Sequence, residues 1–252
     1  MWSRERHKRI LSVLETKGKI SANDLASMLG VSRETVRRDL VELGAEGLIT
    51  RVHGGALLSQ AQTEPPFRKR QVEQIRAKRD IARKAAGLVL PGQTILVDAG
   101  TTTSVFAHEL AKISGITVIT NSIDIATTVQ SAETKIDLIL LGGGIISDVP
   151  ATYGELTLAE IRRFHVDLTF VAPVALDSEK GAFDFDLHEA SVAGAMMEQA
   201  SESVLLVDHT KLGKVSRVKY CDPGQIDMLV TDTPVHDPVL RPFQDWGMRI
   251  VV

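Results

Sequence analysis

Apolar and polar positions repeat with two different periods along this chain, and the change of period divides it. The helical period governs the first sixty residues. Within Trp2 to Lys17, Ile10, Leu11, Val13 and Leu14 form one stripe while Arg4, Arg6, Lys8 and Arg9 fall outside it, which predicts a helix broken by Gly18. Ser21-Ala-Asn-Asp24 predicts a second start, with Ser21 as N-cap and Asp24 in the first turn, where negative charge suits the helix dipole. Leu25, Ala26, Met28 and Leu29 are its expected buried side. A third helix is expected from the N-cap Ser32 to about Glu46, stopped by Gly47. Val36, Leu40 and Leu43 share its inner face, and Glu34, Arg37, Arg38 and Val41 lie roughly opposite. Two short apolar segments around Gly54-Gly55 then read as a hairpin. Three helices and a hairpin make an N-terminal α+β winged helix-turn-helix.

Beyond residue 75 apolar strands alternate with helical stretches. Strands are expected at 94–97, 116–119, 136–141, 168–171, 204–207, 228–230 and 248–252. Helices are expected at about 102–111, 123–131, 155–163 and 189–202. A helix carrying Ile75, Ile81, Ala82, Ala85, Ala86 and Val89 and closed by Pro91-Gly92 precedes them. That order predicts a C-terminal α/β domain with a mostly parallel sheet. The boundaries read as a front domain over 1–58, a linker over 59–74 containing Pro65-Pro66, and a rear domain over 75–252. Phe67-Arg-Lys-Arg70 and Arg76-Ala-Lys-Arg79 load the junction with positive charge, either as a solvated helix or as a segment near the DNA backbone.

Parallel sheets bind ligands outside the carboxyl ends of their strands, so the residues following each strand carry the chemistry. After the first come Asp98, Gly100, Thr101, Thr102 and Thr103; after the second, Thr120, Asn121 and Ser122. After the third come Gly142 and Gly143; after the fifth, Asp208 and Lys211. Gly100-Thr-Thr-Thr103 runs straight into a helix, so close backbone approach, hydroxyl donors and a helix N-terminus coincide there. In physical terms that is a phosphate cradle, with Lys211 as its point charge.

Composition narrows the picture. The net charge of −3 hides sixteen Lys/Arg against ten Asp/Glu in residues 1–80, and thirteen against twenty-two in the remainder. A basic front and an acidic rear suit a front that meets a polyanion. The single cysteine, Cys221, excludes an internal disulfide and fits a reducing cytoplasm. No apolar run reaches membrane-spanning length, and the charged N-terminus has no secretory apolar core, so a cytoplasmic protein without membrane attachment is expected. The seven histidines show no paired metal spacing, and neither a metal nor a cofactor is expected.

Arg6-x3-Ile10-x3-Leu14, seventeen residues, then Ser32-x2-Thr35-Val36-Arg37-Arg38-Asp39-Leu40, together with the run from Gly47 to Ala56, resembles the DeoR-type helix-turn-helix. The resemblance implies a bacterial regulator of carbohydrate metabolism, usually a repressor, bound to a double-stranded operator. It places Arg33, Thr35, Arg37 and Arg38 in or beside the major groove. Ser21 and Ser32 at the helix starts and Arg51 and His53 on the wing join the expected DNA contacts; His53 reads equally as a turn residue bonded to its own backbone. Asp39 borders the apolar face and reads as structural, paired with an arginine of the first helix. Asp98-x-Gly-Thr-Thr, Thr120-Asn-Ser, Leu141-Gly-Gly, Gly154 and Asp208-x-Thr-Lys211 extend the resemblance to the DeoR-type sensor domain, similar in fold to ribose-5-phosphate isomerase and glucosamine-6-phosphate deaminase. The family's effector is a phosphorylated sugar or related metabolite, and a homo-oligomer, dimer or tetramer, is implied. Two departures stand out: Ala172-Pro-Val-Ala-Leu-Asp177 where the family more often has glycine followed by Ile-Asp, and Ala193-Gly194 where it often has a basic pair.

A competing reading is a sugar-phosphate isomerase or deaminase with an appended DNA-binding module. It needs a general base against a carbon-bound proton, for which Asp98, Asp208 and Glu189 are the candidates, yet no paired constellation separates them from ligands of sugar hydroxyls. A third is a DNA-bound architectural protein with a vestigial sensor. The residues favour a ligand-responsive repressor that is not an enzyme.

Overall fold

A computed structural model describes residues 3–45, 49–52, 54–58 and 64–252. The chain divides into two compact units, Met1–Glu64 and Pro65–Val252. Expectations placed on Glu46, Gly47, Leu48, His53 and the first part of the linker, 59–63, lie outside the described residues.

In the front unit α1 (Ser3–Lys17), α2 (Ala22–Leu29) and α3 (Arg33–Ala45) enclose one apolar cluster of Ile10, Leu14, Leu25, Val36, Leu40 and Leu43. Gly18 at φ 70° and Gly30 at φ 65° end α1 and α2 in the left-handed conformation that glycine tolerates. Ser21 caps α2 by accepting from Asp24 N at 3.1 Å, and Ser32 caps α3 by accepting from Thr35 N at 3.1 Å. Met28 is an exception to the expected inner face, being 53% exposed. Ala22, Leu25 and Leu29 centre the buried stripe of α2, and Met28 falls beyond its edge.

The hairpin is β2 (Ile49–Val52) against β3 (Gly55–Leu58), and a third strand, β1 (Lys19–Ser21), pairs on the other side of β3. The sequence reading did not contain β1, since three residues between two helices carry no period. Gly55 is fixed by this pairing: a Cβ there would lie 2.3 Å from Ile20 O.

The rear unit opens with two helices, α4 (Phe67–Val72) and α5 (Ile75–Ala86), rather than one. They break at Gln74, whose φ of 52° is left-handed. Phe67 is buried, so the rear part of the expected linker is folded into this unit. Then follow β4 (Thr94–Val97), α6 (Thr101–Leu110), β5 (Ile116–Thr120), α7 (Ile123–Gln130), β6 (Ile136–Leu140), α8 (Glu155–Ile161) and β7 (Val166–Val171). Next come β8 (Ala175–Asp177), β9 (Gly181–Asp184), α9 (Leu187–Glu198), β10 (Ala200–Leu206), β11 (Val218–Cys221), β12 (Met228–Val230), α10 (Arg241–Gln244) and β13 (Arg249–Val251).

Seven strands form one sheet in the order β13-β12-β10-β7-β4-β5-β6, and every pairing in it is parallel. Alternate residues feed opposite faces. Ile95, Val97, Val204 and Leu206 pack with α5, α6 and α7, while Leu96 lies with α8 and α9. The chain builds β4, β5 and β6 outward, then returns to lay β7 on the other side of β4. The crevice of this doubly wound sheet therefore opens outside the carboxyl ends of β4 and β7.

Two expectations differ here. The helix expected to reach residue 202 ends at Glu198, because Ala200 to Ser203 join β10 and pair with β7 from Ala200 opposite Val166. Three of those four residues are polar, and the ladder, not the pattern, makes them strand. A small antiparallel sheet, β11-β9-β8, was also not expected. Its strands are three or four residues long and too short to show a period.

Candidate functional site

The crevice is built on the turn after β4. Asp98 N is held by Phe170 O at 3.0 Å, and Asn121 Oδ1 accepts from Ala99 N at 3.2 Å. Gly100 is extended (φ 171°), so its role is space: a Cβ would sit 3.2 Å from Thr103 Oγ1 and 3.7 Å from Ala172 Cβ. Helix α6 then starts with no side-chain cap, unlike α7 and α9, which Ser122 and Asp186 cap. The three threonines of its first turn are buried but not equivalent. Thr103 Oγ1 donates back to Gly100 O at 3.0 Å, whereas Thr102 Oγ1 is buried with no hydrogen-bond partner among the described residues. An unpaired buried hydroxyl costs about 1–3 kcal/mol. The cradle thus presents one unused hydroxyl at an uncapped helix N-terminus.

Across the crevice, Lys211 Nζ donates to Pro173 O at 2.7 Å, just past the end of β7. Asp208 is buried and caps the 3₁₀ turn holding Lys211, accepting from Thr210 N at 3.0 Å and from the Thr210 hydroxyl at 2.5 Å. The contact is to the backbone carbonyl of Pro173, which any residue at that position supplies, so it does not depend on the departure. The Ala193-Gly194 departure belongs to packing: Ala193 is buried, and a Cβ at Gly194 would lie 3.3 Å from Tyr220 O of β11.

Thr120, Asn121 and Ser122 are buried and committed to the protein itself. Thr120 Oγ1 donates to Val97 O at 2.7 Å and accepts from Ser122 N; Asn121 Nδ2 donates to Thr152 O at 3.0 Å; Ser122 accepts from Ile125 N. These side chains fix the rim's shape. Gly142 and Gly143 follow β6, two strands from the crevice, and their need for glycine is internal. Gly142 N donates to Glu160 at 2.6 Å, and a Cβ on Gly143 would lie 2.2 Å from Thr157 Oγ1.

Acidic groups gather around Asp98. Burial first, then Asp184 and Glu189, drive the Asp98 carboxyl well above the ordinary carboxylate range, toward its neutral form. Burial first, then the nearby Glu189 and Asp98, likewise raise the Tyr153 hydroxyl, against a smaller opposing effect of Ser147. Glu189, named as a candidate base, accepts from Ser147 at 3.1 Å; its neighbour His188 is exposed. Asp98, in the same turn as the α6 N-terminus, thus stands with Asp184, Glu189 and Tyr153 as the acidic part of the crevice.

Sequence reading missed Asp184, Tyr153 and Lys78. Lys78 is 4% exposed and donates to Arg70 O at 2.5 Å. Its signal was present: Lys78, Ile81, Ala82 and Ala85 follow i, i+3, i+4, i+7, so a lysine occupies the apolar stripe of α5. Asp184 sits on one of the short unexpected strands and had no signal.

In the front unit, Arg6 pairs with Asp39 through Nε to Oδ2 and Nη2 to Oδ1, both at 2.7 Å, which is the expected arginine of the first helix. Burial pushes Asp39 up, but Arg6, with His7, outweighs it and holds the carboxyl below its ordinary value. His7, Asp39 and Glu42 lie within ligand distance of one another, yet Arg6 occupies both Asp39 oxygens. Arg33, Arg37 and Arg38 are exposed on α3 and form no ion pair with a described residue. Arg33, Arg37 and Arg51 line one concavity of about 310 Å³ between α3 and the hairpin. Ser32 and Thr35 share a 2.8 Å hydrogen bond at its N-terminal end, and Ser21 donates to Asp24.

Residues 6–62 match the family model of the DeoR-like helix-turn-helix domain, and residues 73–233 match that of the DeoR C terminal sensor domain. The chain is 33% identical to the glycerol-3-phosphate regulon repressor of Escherichia coli, covering 98% of this chain and 97% of that one. It is 33% identical to the transcriptional regulator GolR of Listeria innocua over 100% and 99% of the two chains. The repressor GlcR of Bacillus subtilis is 33% identical over 92% and 89%. Among solved structures, ribose 5-phosphate isomerase A of Methanocaldococcus jannaschii is similar over 55% of each chain (TM-score 0.39, 19% identity). The β subunit of eIF2B from Chaetomium thermophilum is similar over 68% of this chain and 53% of that one (TM-score 0.48, 18% identity). With one family model on the front unit, another on most of the rear unit and relatives aligned from end to end, the chain belongs to the DeoR family of DNA-binding transcriptional regulators.

Proposed function

We propose that the protein is a repressor whose affinity for operator DNA is set by a phosphorylated sugar or polyol bound in the crevice outside β4, β7 and β10. The observation that carries this reading is the uncapped start of α6 with Thr102 Oγ1 buried and unpaired. A phosphate there satisfies the hydroxyl and the first-turn amides, and Lys211 adds a positive charge. Asp98, Asp184 and Glu189 suit the hydroxyl end of the same ligand. The relative named for a glycerol-3-phosphate regulon points to the same chemical class.

The front unit supplies the DNA contacts: Arg33, Arg37 and Arg38 on α3, Arg51 on the hairpin, and Ser21, Ser32 and Thr35 at helix starts. Two half-sites call for two copies. The sheet supports a homo-oligomer, because β6 is an edge strand with Ile139 and Leu140 exposed, followed by exposed Ile145 and Ile146. Sedimentation of the wild type against Ile145→Asp/Ile146→Asp tests this; a monomeric wild type contradicts it. Coupling follows from any difference in ligand affinity between two arrangements of the subunits.

No catalytic step is assigned to Asp98, Asp208 or Glu189; they bind and orient. Isothermal titration with sugar and polyol phosphates and their unphosphorylated counterparts tests the effector reading. Binding confined to a phosphorylated compound, without turnover, is expected. Turnover of that compound would return the isomerase or deaminase reading.

A further inference from the structure

Lys78 has no place in the cradle as read from sequence, yet it is the buried lysine of α5's apolar stripe. An ammonium carries three donors, and Arg70 O takes one of them at 2.5 Å. That carbonyl lies in the last turn of α4, so one function of Lys78 is to close the end of that helix. A cap does not need a buried cation, since water serves the carbonyls of exposed helix ends. The surroundings are also unusual for a cap. Lys211 and Asp208, from the turn after β10, Arg70, from α4, and Glu73, just past its end, all act electrostatically on Lys78. Burial first, and then the repulsion of Lys211, lower the Lys78 ammonium to about 8. Lys78 shares the face of α5 that packs against α6 and β10, the helix whose first turn holds Thr102 and the strand that leads to Lys211, and one buried carboxyl, Asp208, stands against the two lysines.

Resting on the effector reading above, we propose that Lys78 is a second cationic ligand of the effector's phosphate, opposite Lys211, with its remaining donors directed at the anion while one still holds α4. A dianion between the two ammonium groups converts their repulsion into shared attraction. The ligand's phosphate is then tied through Lys78 to Arg70, in the first helix after the boundary between the two units.

The consequence is proton linkage. A phosphate ester is fully dianionic near pH 8, so proton uptake on binding there reports the protein. Lys78, half neutral at about pH 8 in the empty crevice, becomes fully charged, and binding takes up about half a proton at that pH. Affinity is greatest below that pH and falls as pH rises through it. The test is titration calorimetry at pH 8 in two buffers of different ionisation enthalpy, with glycerol 3-phosphate and the other phosphorylated probes of the panel above. Wild type, Lys78→Gln, Lys78→Arg and Thr102→Val are compared, with thermal melts to confirm folding. Expected is uptake of about half a proton in the wild type and none in Lys78→Gln or Lys78→Arg. Lys78→Gln should bind about tenfold more weakly. Lys78→Arg retains charge and recovers part of the affinity. A wild type that binds with no proton uptake, or a folded Lys78→Gln that binds like wild type, overturns the assignment and leaves the Thr102 cradle intact. A wild type that binds no phosphorylated probe overturns the effector reading and this inference with it. If Lys78→Gln fails to fold, the uptake in wild type against Lys78→Arg decides.

Discussion

Arg6 of α1 grips Asp39 of α3 at two points, each 2.7 Å long, directly behind the helix face that carries Arg37 and Arg38. The pair ties α3 to α1 and sets the orientation of one helix against the other. Asp39 is 2% exposed, so removing Arg6 leaves an uncompensated buried carboxylate. Arg6→Ala is expected to destabilise the front unit by about 3 kcal/mol, read by urea unfolding of the full chain. Asp39 lies below its ordinary value when folded, so its contribution is complete above that value and is lost as pH falls through the folded one. A mutant as stable as wild type at pH 7 would show that the pair is not structural.

The exposed arginines divide by role. Each of Arg33→Ala, Arg37→Ala and Arg38→Ala should weaken operator binding. Loss of a phosphate contact lowers the salt slope by about one and weakens all sequences alike. Loss of a base contact costs about 1–3 kcal/mol and relaxes the preference at one base pair. Anisotropy titrations at two salt concentrations on the operator and a scrambled duplex separate the two. Wild-type affinity in all three variants would remove α3 from the interface.

Thr102 and Thr103 make the sharpest contrast in the crevice. Thr102→Val deletes a hydroxyl that pairs with nothing, so stability should hold or rise by up to about 1 kcal/mol while effector binding falls. Thr103→Val breaks the bond to Gly100 O and should cost about 1 kcal/mol of stability. Thermal melts with and without the phosphorylated ligand report both. Equal ligand stabilisation of wild type and Thr102→Val would remove Thr102 from the site.

Much of this was legible because the local signals agreed with the fold. Ser21 and Ser32 read as caps and are caps, and the strand order placed Asp98, the threonines and Lys211 at one rim. What was not legible depended on long-range neighbours. Gly142 and Gly143 read as a ligand-facing run, and Tyr153, Thr157 and Glu160, ten or more residues along the chain, crowd the positions where the glycines' Cβ atoms would be. Thr120 to Ser122 offered polar atoms in sequence that the fold spends on Val97, Thr152 and Ile125. Lys78 was visible in principle as a lysine on an apolar stripe, and was obscured by the basic run around it.

A phosphate held at the start of α6 is expected to change DNA affinity, and fluorescence anisotropy of the full chain on its own upstream DNA measures that change. The titration is run with each phosphorylated compound and its unphosphorylated counterpart, in wild type and Thr102→Val. One phosphorylated compound should shift wild-type DNA affinity by at least about fivefold. Its unphosphorylated counterpart should shift nothing, and Thr102→Val should bind DNA normally with the response lost. Specific DNA binding indifferent to every phosphorylated compound, or an unchanged response in Thr102→Val, would contradict that expectation.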